Sequence, residues 1–176
     1  MSGVEVRALT SADRRWVVSF LREEWGSTTQ AYGGRLHHVD GHRGFVALQE
    51  ERPVGLLTYR IRRREWEISS LKSLIESIGV GSALIAAVRD AAEAAGCRSL
   101  WVITTNDNTR ALRFYQKRGF SLVAVHPGAV ERARRDLKPE IPLVGNDGIP
   151  IRDEIKLEML LGEGRKAHEP DVRTEL

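Results

Sequence analysis

Gly79 and Gly81 lie in the run Ile78-Gly79-Val80-Gly81-Ser82, between a strand-like segment and an amphipathic helix. Glycines let a backbone curl tightly because no Cβ stands in the way. Successive N–H groups then point into one concavity at a helix N-terminus, where the partial positive charge of the dipole sits. A pyrophosphate suits such a cradle, and the same residues also serve as a plain strand-to-helix turn. Two other phosphate motifs are excluded. A P-loop needs Lys-Ser/Thr after its second glycine, and Ser82-Ala83 follows here. A dinucleotide fingerprint needs another glycine where Leu84 stands.

Other reactive residue types form weaker patterns. Leu36-His37-His38-Val39-Asp40-Gly41-His42 brings imidazoles and a carboxylate together. In an extended chain His37 and His38 face opposite sides, and no ligand spacing is met, so no metal is expected. Cys97 is the only cysteine and ends an alanine-rich helical stretch. It reads as a small buried thiol and permits no internal disulfide. The formal net charge of +3 suits an anionic ligand. The basic residues are scattered, and the dense run Arg60 to Arg64 alternates within a strand-like segment, so nucleic acid is not expected as a partner. No run of eighteen apolar residues exists, and the N-terminus lacks a secretory pattern, so no membrane association and a cytoplasmic location are expected.

The elements that must position these residues follow from periodicity. A chain of 176 residues fits one domain, expected over residues 1–161, with a charged, frayed tail over 162–176. Val4 to Leu9 alternates as a first strand, and Thr10 or Ser11 caps a helix with Trp16, Val17, Phe20 and Leu21 on one face. Ser27 to Gly41 is polar and glycine-bearing and reads as loop or short irregular helix. Gly44 to Leu48 and Val54 to Ile61 form a hairpin about Glu50-Glu51-Arg52-Pro53, and Glu65 to Leu74 is a further strand. A helix with Leu84, Val88, Ala91, Ala92 and Ala95 on one face stops at Gly96. Strand Ser99–Thr104, a helix ending at Gly119, strand Phe120–Val125, a basic helix over 128–137 and strand Glu154–Leu161 complete the chain. The fold class is therefore a three-layer α/β (α+β) arrangement, a mixed sheet with helices on both faces. Residues 128–153 form a long excursion, either a lid or a stiff connection. Asp153 and Glu154 at its end could attract a cationic amine, though exposed charge is the commoner explanation.

Downstream of the glycine loop stands Asn108-x-x-Ala111-x-x-Phe114-Tyr115-x-Lys117-x-Gly119-Phe120. Together with the loop, this resembles the GNAT superfamily of acyl-CoA N-acyltransferases. The resemblance covers about residues 65–125 in motif and the whole chain in element order. It implies a mostly antiparallel sheet of about six to seven strands, splayed between the fourth and fifth. One position departs from the pattern: Glu76 replaces the usual Arg or Gln of the loop. A carboxylate a few ångströms from phosphates would repel them by very roughly 1 kcal/mol, so Glu76 is expected to point outward.

The resemblance also implies the chemistry. Acetyl-CoA is the co-substrate, held by the amides of Ile78, Gly79, Val80, Gly81 and Ser82, with the pantetheine arm pairing along Leu71 to Ser73. The N–H near Leu71 stabilises the oxyanion, and Tyr115 returns a proton to the departing thiolate. Glu67 is the candidate base, the alternative being a solvated carboxylate paired with Arg62 or Arg64. Asn108 contacts the pantetheine region or caps a helix. By analogy Tyr32, His37, His38 and Asp40 line the acceptor pocket. The expected function is transfer of an acetyl or short acyl group to a primary amine, by direct attack in a ternary complex. The acceptor is a small molecule or a protein amine, and a homodimer would be unsurprising. The alternatives are an acyl-CoA-binding module without catalysis and a basic interaction protein with no coenzyme.

Overall fold

The computed structural model describes residues 3–76 and 79–162. The element order is β1 (Glu5–Ala8), α1 (Arg14–Trp25), β2 (Thr29–Tyr32), β3 (Arg35–His38), β4 (Arg43–Gln49), β5 (Arg52–Arg62), β6 (Glu65–Ser73), α2 (Val80–Ala94), β7 (Ser99–Thr105), α3 (Thr109–Gln116), β8 (Ser121–His126), α4 (Ala129–Asp136) and β9 (Glu154–Leu160). Seven strands form one sheet in the order β1-β4-β5-β6-β7-β9-β8, and β2-β3 form a separate hairpin. All neighbours are antiparallel except β6 and β7. Among the described residues no helix is long and apolar enough to cross a membrane.

Alternation along the strands sorts the side chains onto two faces. On one, α2 and α3 cover Leu57, Trp66, Ile68, Leu100, Val102, Leu157 and Met159. Each fully buried leucine there is worth about 1.5–3 kcal/mol relative to exposure. Tyr59 stacks on Trp66 with centroids 4.4 Å apart and closes this core at the β5 end. On the other face α1 lays Val17, Phe20 and Leu21 against Leu56 and Val39. The helix starts as the sequence demands: the Thr10 N–H donates to Asp13 Oδ2 at 2.7 Å, and Gly26 ends it in a left-handed conformation at φ 69°.

The segment read as a loop, Ser27 to Gly41, is instead the β2–β3 hairpin followed by a short 3-10 turn over Val39–Gly41. Its alternation is masked because its residues are polar on both sides. Gly33 and Gly34 make the turn with φ 56° and 73°, the left-handed region that glycine enters freely. The hairpin lies on the α1 face, over β7 and β9: a Cβ on Gly33 would sit 3.7 Å from Ile103, and its N–H donates to both oxygens of Glu154 at 3.2 and 3.1 Å.

Glu154 is buried, against the expectation that it is an exposed charge or one that attracts a cationic amine. Desolvation raises its pKa above the ordinary carboxyl value. Asp153 accepts a hydrogen bond from the Gly128 N–H at 2.8 Å. The excursion 128–153 is a tied connection. Arg134 donates to the carbonyls of Ile141, Pro142 and Ile151, and Asp107 accepts from the Asn146 backbone and side chain at 3.0 and 2.8 Å.

Candidate functional site

The site begins where two parallel strands stop pairing. β6 and β7 are in register over Glu65↔Ser99 to Ile68↔Val102, after which each runs on without the other. Just beyond the last pair, Ser69 is an extra residue in β6, since Thr58 pairs Ser70 while Tyr59 pairs Ile68. Such a bulge bends its strand and raises its twist. Beyond it, the Leu74 N–H donates back to Val54 at 2.8 Å. By strand alternation Lys72 also faces β5, which turns the N–H groups of Leu71 and Ser73 toward the gap. These are the two backbone positions that the family resemblance assigns to the pantetheine arm and the acetyl carbonyl.

At the gap's end lies the glycine loop. Gly79 is the N-cap of α2 at φ 83°. Gly81 packs closely against α3: a Cβ there would fall 2.8 Å from the Phe114 ring and displace it. Arg118 stacks over that ring at 3.6 Å and donates to Ser82 Oγ from Nε and Nη2 at 3.0 and 2.7 Å. A cation thus sits beside the first turn of α2, supplied by the end of α3. Glu76 points outward, its side chain 83% exposed and 3.4 Å from Arg110. Ile78 lies outside the described residues, as does the tail over 163–176.

Tyr115 is buried in the core on the α2 face, edge-on to Phe114 and Phe120. Burial raises its pKa above the ordinary phenol value, so the hydroxyl stays protonated. Asn108 caps α3, its Oδ1 accepting from the Ala111 N–H at 3.2 Å.

Glu67 occupies the opposite face. Its side chain is 1% exposed, so it is not a solvated carboxylate. Arg60 donates to Oε2 at 2.6 Å and Arg62 lies 3.9 Å away. Arg64 instead reaches the Gly96 carbonyl. Tyr32 stands next to Glu67, and burial together with that carboxylate keeps the phenol un-ionised. His37 stacks on Tyr32 with centroids 3.8 Å apart, and its pKa is lowered chiefly by burial. The structure therefore brings Tyr32 and His37 to Glu67. It does not bring His38 or Asp40: His38 is exposed and shares a hydrogen bond with Thr29, while Asp40 lies 3.8 Å from Arg14 beside α1.

Sequence reading missed a polar chain behind the bulge. His42 Nδ1 is 2.7 Å from Ser69 Oγ, which is 2.8 Å from Thr58 Oγ1, and Thr58 also bonds Ser70. His42 lines a cavity of about 490 Å³ bordered by Leu9, Arg14 and Asp40. Burial first, then the nearby Arg60 charge, pushes its pKa down to about 4. Only the positions of small hydroxyl residues on β5 and β6 hinted at this chain, and their register was not readable. Cys97 is buried, and among the described residues no group of His, Cys, Asp and Glu is placed to share a metal ion.

Known proteins share this fold. The solved IAA acetyltransferase from Bacillus cereus ATCC 14579 superposes with a TM-score of 0.66 at 18% identity, over 90% of this chain and 100% of that one. A GNAT family acetyltransferase from Elizabethkingia anophelis with acetyl-CoA bound superposes at 0.65 and 19% identity, over 92% and 100%. In sequence, the uncharacterized protein YdhI of Bacillus subtilis (strain 168) is 45% identical over 143 residues, 81% of this chain and 89% of that protein. The model of the acetyltransferase (GNAT) family matches residues 10–120, a stretch running from the cap of α1 through the glycine loop to Phe120. With the forked sheet, the glycine-opened helix and a relative of this similarity, the chain belongs to the acetyltransferase (GNAT) family.

Proposed function

We propose that the protein is an N-acetyltransferase that moves an acetyl group from acetyl-CoA to a primary amine by direct attack in a ternary complex. The observation that carries this reading is the fork: the N–H groups of Leu71 and Ser73 face a gap that has Tyr115 on one side of the sheet and Glu67 on the other.

Acetyl-CoA, when bound, supplies an acyl group already activated as a thioester. The backbone of residues 78–82 holds its diphosphate, an arrangement that depends on amides and on space rather than on a side chain at position 76. Arg118 places positive charge beside that loop, and Arg110 offsets the Glu76 carboxylate. Asn108, at the start of α3, borders the pantetheine path.

The Leu71 N–H donates to the carbonyl oxygen and strengthens as negative charge gathers there, an effect on the order of 3 kcal/mol in acyl transfer. With Ser69 bulged, Glu67 lies about 10 Å along the strand from Leu71, at roughly 3.3 Å per paired residue, so it takes the ammonium proton through water. The neutral nitrogen forms the C–N bond, the C–S bond breaks, and Tyr115 donates its proton to the sulfur. From ordinary values of about 10 and 8.5 the phenol and the thiol are well matched. Burial raises the phenol, and the same apolar surroundings raise a thiolate's proton affinity, so the match is retained.

An outward Glu76 paired with Arg110 weakens the case for a module that binds acyl-CoA without catalysis. A homodimer would use the β8 edge, where Leu122, Val123 and Val125 are exposed. Two measurements test the function. Acetyl-CoA should raise the melting temperature, because it binds only the native state. Thiol release with amines should then exceed release without them. No stabilisation at millimolar acetyl-CoA would end the reading.

A further inference from the structure

Arg118 follows α3 and reaches back across it to the first turn of α2. Its Nε and Nη2 donate to one atom, Ser82 Oγ, at 3.0 and 2.7 Å. Nη1 donates to the Phe114 carbonyl at 2.9 Å, and the guanidinium carbon stands 3.6 Å from the Phe114 ring centroid. Three hydrogen bonds and a ring contact thus fix a planar fork that a lysine ammonium does not reproduce. The side chain is half-buried, yet no carboxylate among the described residues pairs with it, and burial alone lowers its pKa. Cations withdrawn from water ordinarily have an anion to answer them.

The consequence falls on Ser82. A serine hydroxyl carries two lone pairs and one hydrogen. Arg118 occupies both lone pairs, so the hydrogen is turned away from the guanidinium. Among the described residues Ser82 Oγ donates to no acceptor. Ser82 is the third residue of α2, and helical side chains lean toward the N-terminus of their helix. The hydroxyl is therefore a donor at the same end as the N–H groups of Val80, Gly81 and Ser82, which have no partner within the helix. Ser82 is exposed, so a ligand can reach it. Glu76 points away, and position 76 brings no positive group of its own.

We propose that Arg118 is a positioning residue for the coenzyme: it orients the Ser82 hydroxyl as a donor to the diphosphate of acetyl-CoA and sets a balancing charge behind it. This rests on the use of acetyl-CoA proposed above. A serine alone at this place is free to turn its hydrogen back to a carbonyl of the preceding turn. The fork fills the acceptor side of the hydroxyl and removes that freedom before the ligand arrives, which lowers the cost of ordering it on binding. A hydroxyl that accepts from a cation is also a stronger donor in its turn.

Calorimetry on the full chain tests this, with acetyl-CoA, CoA and dephospho-CoA as probes. Ser82→Ala and Arg118→Lys should each weaken binding about tenfold, the loss expected for one hydrogen bond to a charged group. Arg118→Lys keeps the charge and loses the fork. The double variant should bind within about twofold of Ser82→Ala, because Arg118 acts through that hydroxyl. Dephospho-CoA keeps the diphosphate and lacks only the 3′-phosphate, so it should show the same losses. In steady state the KM for acetyl-CoA should rise while kcat stays within about threefold of wild type. Melting curves without ligand verify folding, and Ser82→Ala, at an exposed position, decides the outcome even where Arg118→Lys is less stable. Unchanged affinity in Ser82→Ala, additive losses in the double variant, or losses absent with dephospho-CoA overturn the assignment and leave N-acetyl transfer standing. Wild-type protein that binds none of the three probes overturns both.

Discussion

The edge of the Phe114 ring lies 2.8 Å from the point that a Cβ on Gly81 would occupy. The second glycine of the loop is therefore fixed by an aromatic neighbour from α3, and Phe114 in turn carries the Arg118 guanidinium at 3.6 Å. Gly81→Ala should push the ring aside and destabilise the fold by about 1–3 kcal/mol, as overpacking does. Calorimetry should show acetyl-CoA affinity falling about tenfold. The double variant with Phe114→Leu should recover most of the stability, because the obstruction is gone.

Removing the Tyr115 hydroxyl tests proton return to sulfur. Tyr115→Phe keeps the ring against Phe114 and Phe120 and deletes only the donor. Turnover is expected to fall by about 10²-fold, the lower range for a positioned acid, with acetyl-CoA affinity changing less than threefold. Steady-state rates and calorimetry check both halves. Wild-type turnover in the variant removes Tyr115 from the chemistry.

Glu67→Gln leaves an oxygen for Arg60 but no base. The rate should drop by about 10²-fold, and the acid-side fall of the kcat/KM–pH profile should flatten. A profile superposable on wild type would dismiss the base role. Glu67→Ala should also lower stability, since it strands the partly buried Arg60 charge.

His42 makes the fold acid-sensitive. Its folded pKa of about 4 lies below the usual 6.5, so the folded state binds fewer protons than the unfolded chain between those values. The contribution of neutral His42 is complete above pH 6.5 and is lost as pH falls toward 4. Asp40, Glu67, His37 and Arg60 all act on this imidazole, and Arg60 and His37 lower its pKa further. His42→Gln can still accept from Ser69 but does not titrate. Its melting temperature should decline less than wild type between pH 6.5 and 4.

Much of this was legible in the residues. The caps and glycines punctuate the chain: Thr10 with Asp13, Gly26, Gly96 and Gly119 fall where elements begin or end. The glycine loop and the Asn108–Phe120 run located the fork, because both depend on local geometry that glycine and caps announce. The hairpin over Thr29–His38 was not legible. Its strands are four residues long and polar on both sides, so no alternation marks them, and they are held by tertiary contacts such as Gly33 with Glu154. The burial of Glu67 and Glu154 was hidden for the same reason, since the layer that covers them is that hairpin and the connection behind it. Lys138 reaching the Thr29 carbonyl at 2.6 Å spans a sequence distance that no local pattern reports.

The opening between β6 and β7 joins the two sides of the sheet, with Tyr115 on one and Glu67 on the other. In the proposed transfer the nucleotide-bearing donor and the amine approach from opposite sides of the sheet, so neither has to pass the other and either can load first.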